Sequence, residues 1–136
     1  RKTTMSVSHI KTKEAPAAIG AYSQATTHQG VLYVSGQIPL DPKTMKVTNG
    51  GFQSQIKQVF DNIDAIAIAA NTTLANCIKL NVYLSDLENF KHVNAIMEEL
   101  FVTPYPARAA IEVSRLPRDV DVEIDAIIAI REPAST

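Results

Sequence analysis

The sequence contains no tryptophan and only one cysteine, Cys77, in 136 residues. A single cysteine excludes an internal disulfide and is typical of a protein in a reducing compartment. No apolar run is long enough to cross a bilayer, and none has the form of a signal-peptide core. These absences argue against a disulfide-stabilised secreted domain and against a membrane protein. The predicted location is the cytoplasm or the mitochondrial matrix.

An excess of positive charge is also missing. The chain has 13 Lys and Arg against 14 Asp and Glu, a net charge of −1, and the two signs are interspersed. A nucleic-acid partner is not expected, because proteins dedicated to nucleic acids usually carry a basic stripe. His9, His28 and His92 lack metal-ligand spacing, and there is no glycine-rich phosphate loop. Neither a metal nor an organic cofactor is therefore predicted.

The chain has the length of one domain with one hydrophobic core. Its polar start, RKTTMSVS, has no acids and is typical either of a processed presequence or of sequence upstream of Met5. We predict an N-terminal segment at 1–14, processed or partly disordered, then a single domain at 15–131 and a tail at 132–136.

The chain does show regular apolar spacing, with the alternation of strands and the 3.6-residue period of helices. The predicted elements are strands at 21–27, 31–38 and 78–84, a short strand near 7–10, a helix at 52–70, a second helix opened by a capping box at 85–88, and two closing strands within 105–130. This order predicts an α+β fold with both helices on one face of a mixed sheet. Apolar residues on the other face are expected to need another subunit.

The closing stretch, Tyr105–Ile130, carries the strongest candidates for a site. Alternation is expected to place Arg108 and Glu123 on one face that is half charged and half apolar, with Asp121 and Asp125 beside Glu123. A guanidinium and a carboxyl suit the binding of a small acid and acid–base catalysis. A cross-strand ion pair on a solvated face is the simpler interpretation of the same pattern.

Other polar positions are less specific. Asn94 lies on the edge of the second helix's apolar stripe, where an amide must find hydrogen-bond partners. Tyr22, Ser35 and Gly36 lie in or beside strands that end near a long loop, where a glycine lets a ligand approach closely. Each position has an ordinary structural interpretation. The residues alone therefore predict a small cofactor-free α+β domain and name no reaction.

Three motifs nevertheless resemble one family. APAAIGAYSQA at 15–25, VSGQIPLDPKT at 34–44 and PARAAIEVSRLPRDVDVEIDA at 106–126 are similar to the RidA family of reactive-intermediate deaminases, also known as the YjgF type. The similarity covers nearly the whole chain. It implies a chorismate-mutase-like α+β fold and a homotrimer whose sheets form a central β-barrel, with three clefts between subunits.

The resemblance also implies a reaction. Members hydrolyse reactive 2-enamine or 2-imine acids, such as 2-iminobutanoate and 2-iminopropanoate, to 2-keto acids and ammonia. PLP-dependent dehydratases produce these imines, and the reaction protects PLP enzymes from damage by them. Two alternatives remain open at this point. One is an RNA-directed translation inhibitor or endoribonuclease, and the other is a non-catalytic trimer that binds a small acid.

Residue roles follow from the matching positions. Arg108 matches the family's carboxylate-binding arginine, and Glu123 matches its catalytic glutamate. The matching pocket residues are Tyr22, Ser35, Gly36 and Asn94. Many members have a cysteine where this chain has Ala110, so only backbone groups of Ala110 are expected to contact a ligand. Burial and neighbouring acids are expected to raise the pKa of Glu123, which suits a proton shuttle.

Overall fold

The computed structural model describes residues 6–130, which form one six-stranded sheet and two helices. The strands are β1 (Ser8–Ile10), β2 (Ala25–His28), β3 (Val31–Gln37), β4 (Cys77–Leu84), β5 (Ala107–Glu112) and β6 (Val122–Ala129). The helices are α1 (Phe52–Ala69), between β3 and β4, and α2 (Phe90–Leu100), between β4 and β5. The predicted tail and the first five residues of the predicted N-terminal segment lie outside the described residues.

The strand order is β1-β2-β3-β6-β4-β5. β4 and β5 are parallel and joined through α2, whereas the other neighbouring strands are antiparallel. The prediction of an α+β fold built on a mixed sheet with two helices is confirmed. β6, the last strand in the described chain, lies inside the sheet between β3 and β4, and β5 is an edge strand.

The predicted apolar stripe of α1 packs on one face of the sheet. Ile56, Val59, Ile63 and Ile66 are fully buried. The facing side of the sheet is equally buried, at Leu32, Leu80, Val82, Ile124 and Ile128. Each such side chain stabilises the fold by roughly 1.5–3 kcal/mol relative to an exposed one, so this layer is the core.

The strand predicted at 21–27 begins later, at Ala25. The side chain of Gln24, just before the strand, is buried and bonds to the loop at 12–16. Its Nε2 donates to the carbonyl of Pro16 at 2.8 Å, and its Oε1 accepts from the amide of Thr12 at 2.7 Å. Tyr22 therefore lies in the loop before β2 and not in a strand.

Two local details also differ from the prediction. Asp86, one residue into the predicted capping box, accepts a hydrogen bond from the amide of Glu88 at 2.9 Å, and a short 3₁₀ turn precedes α2. Ile78, predicted to point inward, is 45% exposed. Its alternation fails because the β4–β6 register is irregular between Cys77 and Lys79.

No helix in the described chain covers the second face of the sheet, which we call the open face. Register and alternation place Tyr33, Tyr83, Ile111, Glu123 and Asp125 on it. Tyr33 and Ile111 are about half exposed. Among residues 6–130, neither helix is long and apolar enough to cross a membrane.

Candidate active site

Glu123 lies near the start of β6 on the open face, directly opposite Tyr83 of β4. Burial raises the pKa of Glu123 above its ordinary value, and the charge of Asp125 raises it further. Asp121 was also expected to raise the pKa of Glu123, but it does not contribute to the shift. Its carboxylate accepts a 3.3 Å hydrogen bond from Ser85 at the strand end. A carboxyl group whose pKa is raised is a stronger base than an ordinary carboxylate and can take and return a proton more readily.

Gly36 lies against the carboxyl group of Glu123. A Cβ built on Gly36 would overlap Glu123 Oε2 and come within 3.0 Å of its Cδ. The β3–β6 register shifts between Val34 and Gln37, at the position of Gly36. A glycine at this irregularity therefore makes room for the Glu123 carboxyl group.

Replacing Gly36 by alanine should displace that carboxyl group and reduce turnover by about tenfold or more, because small misplacements of a reacting group are costly. The melting temperature should change little, because the φ angle of Gly36 is not positive and alanine can adopt the same backbone conformation. Steady-state kinetics and thermal melting measure the two effects. Wild-type turnover in Gly36→Ala would contradict the close fit described here.

Ser35, next to Gly36 in β3, contacts the loop that contains Tyr22. The Ser35 hydroxyl donates to the carbonyl of Ser23 at 2.6 Å, so its remaining lone pairs are free to accept from a ligand. The Ser35 amide donates to the Gln24 carbonyl at 3.0 Å, which ties β3 to the loop. Tyr22 is half exposed and lines a cavity of about 790 Å³ beside this loop.

Arg108 lies on β5 at the other side of the sheet and contacts α2. Its guanidinium donates to Asn94 Oδ1 at 2.6 Å and to Met97 Sδ at 3.5 Å, and it lies 4.8 Å from the centre of the Phe90 ring. These three contacts hold the guanidinium in one orientation, with a cation–π interaction beneath it. No carboxylate neutralises Arg108 within the described chain, which leaves its charge available.

The guanidinium opens into a cavity of about 350 Å³, the size of a site for a small acid. The cavity is lined by Asn94, Met97, Glu98, Tyr105, Pro106 and Arg108. Asn94 and Arg108 were both predicted as site residues, and the structure brings them into direct contact. The residues that sequence reasoning missed are Phe90 and Met97. Their spacing from Asn94 on α2 places them on one helix face and could have indicated them.

The prediction that Arg108 and Glu123 share one face is wrong for a single chain. β5 is parallel to β4, and its register places Arg108 beside Leu80, a buried residue of the helix-covered face. Glu123 pairs with Tyr83 on the open face. The two side chains therefore form neither one pocket nor the cross-strand ion pair that was the simpler interpretation.

Ala110 follows the same alternation as Arg108. It pairs with Val82 in register, is partly buried and packs against the core below α2. The predicted site residues thus fall into three groups in the described chain. Glu123 and Gly36 lie on the open side, Arg108, Asn94 and Ala110 lie at the β5 edge, and Ser35 contacts the loop that contains Tyr22.

Cys77 lies in none of these groups. Its thiol contacts the carbonyls of Lys79 at 3.5 Å and Ile127 at 3.6 Å, and burial raises the pKa of Cys77 to about 11. The thiolate is the reactive form, and this environment disfavours it. The thiol therefore behaves as a small packing group.

Iodoacetamide at pH 8 should modify Cys77 slowly, because a pKa of about 11 leaves about one thiol in a thousand ionised. Activity should be unchanged in the time that labels glutathione completely. Mass spectrometry and an activity assay on the same samples measure both. A loss of activity in proportion to Cys77 labelling would place a sulfur in the site after all.

Fold and site together define a class of protein. It is a small α+β domain that presents a carboxyl group of raised pKa on an uncovered sheet face and an oriented arginine at a sheet edge. The family model described as Endoribonuclease L-PSP matches residues 12–130. The chain belongs to this family, together with proteins named RutC, RidA and YjgF, and the resemblance seen in the motifs is confirmed.

Individual relatives are similar over almost their whole length. A RutC family protein of Pyrococcus horikoshii is 48% identical over 118 residues, 87% of this chain and 94% of that protein. The human 2-iminobutanoate/2-iminopropanoate deaminase is 40% identical over 127 residues, 93% of this chain and 92% of that protein. The crystal structure of RidA from Psychrobacter sp. superposes with a TM-score of 0.85 at 45% identity, covering 89% of this chain and 98% of that one.

Proposed function

We propose that this protein hydrolyses small 2-imino acids, such as 2-iminobutanoate and 2-iminopropanoate, to 2-keto acids and ammonia. The observation that carries the proposal is the pair of half-sites, an uncompensated Arg108 and a carboxyl group of raised pKa at Glu123. Human and bovine relatives that are about 40% identical bear the name of this activity, which supports the same assignment.

We further propose that the two half-sites meet between subunits of a homotrimer. β6 and β5 are two strand positions apart, about 10 Å at normal strand spacing, and the side chains point to opposite faces. The open face and the β5 edge are both unpartnered in one chain. A neighbouring copy that brings its β5 edge to this chain's open face would close the cleft, and the open faces would line the central barrel.

In such a cleft, Arg108 binds the substrate carboxylate. A guanidinium matches a carboxylate with two parallel hydrogen bonds and stays charged at every relevant pH. Asn94 and Met97 hold one edge of the guanidinium, and Phe90 supports its flat face, so little side-chain freedom is lost on binding. The cavity volume suits a short aliphatic acid.

Glu123 then transfers protons. Water adds to the imine carbon, the C=N electron pair moves to nitrogen, and the water proton passes to the Glu123 carboxylate. The protonated Glu123 returns that proton to the nitrogen, which gives a carbinolamine. Glu123 then takes the hydroxyl proton and passes it to the amino nitrogen as the C=O bond forms and the C–N bond breaks, releasing ammonia and the keto acid. No metal or organic cofactor enters this sequence, because the imine carbon is already electrophilic. A PLP-dependent dehydratase would supply the imine.

The proposed assembly predicts a trimer in solution, with a mass three times the 14.8 kDa of the chain. Ile111→Glu should disrupt it, because Ile111 is a half-exposed apolar side chain on the open face. Ile68→Glu is the matched control, since Ile68 is exposed on α1 and outside the proposed contact. Light scattering measures the mass of each variant, and activity measurements show whether loss of the trimer abolishes turnover. A fully active wild-type monomer would overturn the shared cleft.

The reaction itself is tested with a threonine dehydratase that generates the imine and semicarbazide that traps what escapes hydrolysis. The protein should lower the yield of trapped imine and accelerate formation of 2-oxobutanoate. A non-catalytic binding trimer would instead bind 2-oxobutanoate in calorimetry without changing the trapped yield. RNA cleavage without any effect on the imine would favour the activity in the family's description.

A further inference from the structure

Three side chains beside Glu123 form a network that the proposed reaction does not yet use. Asn81 and Tyr83 project from β4 onto the open face, and Asp125 projects from β6. Asn81 Nδ2 donates to Asp125 Oδ1 at 2.8 Å, and the Tyr83 hydroxyl donates to Asp125 Oδ2 at 2.9 Å. All three are partly buried in the described chain.

This network fixes the position of the Asp125 carboxyl group. Each of its two oxygens accepts one hydrogen bond. Two donors on one strand also prevent the carboxylate from turning towards Glu123 to share a proton. Asp125 therefore presents its carboxyl group in a fixed position.

Glu123 lies two residues before Asp125 on the same face, about 6.6 Å along the strand. Tyr83 is its cross-strand neighbour and has already committed its hydroxyl proton to Asp125. Within the described residues, no side chain donates to the Glu123 carboxylate, so both of its oxygens stay open to water and substrate. Burial and the charge of Asp125 together raise the pKa of Glu123, and the pKa of Tyr83 is raised as well, first by burial and then by Asp125.

The remaining ionisable side chains that face this area are few and less well placed. Just before β6 there is Asp121, which contacts Ser85 at the strand end. On β4 and β3 there are Lys79 and Tyr33, both opposite Ile127 and so further along β6. Those of β5 point away, because its open-face positions in the register are alanines and an isoleucine.

We propose that Asp125, clamped by Asn81 and Tyr83, is a positioning residue that sets the proton affinity of Glu123 for imine hydrolysis. The proposal rests on the proposed function of Glu123 as the proton shuttle. The role of Asp125 is to make Glu123 a strong enough base to take the water proton. Asp125 does not touch the substrate.

The test compares Asp125→Asn with Asp121→Asn in the full trimeric protein. Both variants remove one acid two residues from Glu123, but only the first removes the clamped charge. The limb of the kcat/KM–pH profile that disappears in Glu123→Gln should move to lower pH in Asp125→Asn, because a negative charge that raises the pKa of Glu123 is removed. It should stay in place in Asp121→Asn.

Tyr83→Phe provides a second variant in case Asp125→Asn folds poorly. It removes one of the two hydrogen bonds that fix Asp125 and should therefore shift the same limb, whereas Asp121→Asn leaves it in place. Carbon-13 NMR titration of the Glu123 carboxyl measures the same shift without any substrate. Thermal melting shows whether each variant is folded.

An unshifted titration of Glu123 in Asp125→Asn, or equal shifts in both aspartate variants, would overturn the proposal. So would a smaller kcat in Asp125→Asn with an unchanged pH profile, because a merely structural role would have that effect. Failure of the proposed function would give a different result. The wild-type protein would then not hydrolyse the imine, whereas the NMR titration of Glu123 would still shift in Asp125→Asn.

Discussion

Arg108→Ala should weaken binding of 2-oxobutanoate by about thirtyfold to several thousandfold. Removing one partner of a buried charge pair costs roughly 2–5 kcal/mol, and each 1.4 kcal/mol is about a factor of ten. The substrate carboxylate would lose the cation that Asn94, Met97 and Phe90 hold in place. Calorimetric titration and the dehydratase-coupled assay measure the loss.

Two further variants sharpen this result. Arg108→Lys should recover only part of the affinity, because an ammonium keeps the charge but loses the planar pair of donors. Arg115→Ala is the matched control, since Arg115 is exposed and pairs with Asp119 away from the cavity. All variants should remain trimeric. If Arg108→Ala binds and turns over like wild type, Arg108 is a structural residue and the site assignment fails.

Glu123→Gln should lower turnover by about a hundredfold or more, the usual contribution of general acid–base catalysis. The amide keeps the shape of the side chain but cannot take the proton from water. Binding of 2-oxobutanoate should change little, because Arg108 makes that contact from the other half-site. Glu88→Gln, an exposed carboxyl before α2, is the control. Near-wild-type turnover would remove Glu123 from the mechanism.

The same variant has a predictable effect on stability. Burial raises the pKa of Glu123 above its ordinary value, so the folded state binds the proton more tightly than the unfolded state. The ionised side chain therefore costs stability as pH rises through the interval between the ordinary and the raised pKa. The melting temperature of Glu123→Gln should be no lower than that of wild type at neutral pH. Any increase in melting temperature should vanish at pH values below the ordinary pKa of a glutamate side chain. A lower melting temperature at neutral pH alone would contradict this sign.

Local pattern was enough to predict the elements and the core. The apolar period of 52–70 predicted α1, the β-branched and aromatic residues of 31–38 predicted β3, and alternation predicted β6. These signals are reliable because one helix stripe or one strand face must be buried. The contact between Asn94 and Arg108 was also within reach, since both positions were singled out. Where alternation was interrupted, at Gln24 and at the irregularity after Cys77, the prediction failed.

The relation between the two closing strands was decided only by the tertiary structure. Alternation divides the side chains of each strand between two faces. It does not show which face of β5 lies on the same side of the sheet as a given face of β6. That is decided by β4, which lies between them and pairs in parallel register with β5 and antiparallel register with β6. Arg108 consequently packs beneath α2, and Glu123 lies on the open face beside Gly36. The sequence by itself singled out the residues that we propose carry the chemistry. The pairing of distant strands decided that one chain holds them apart.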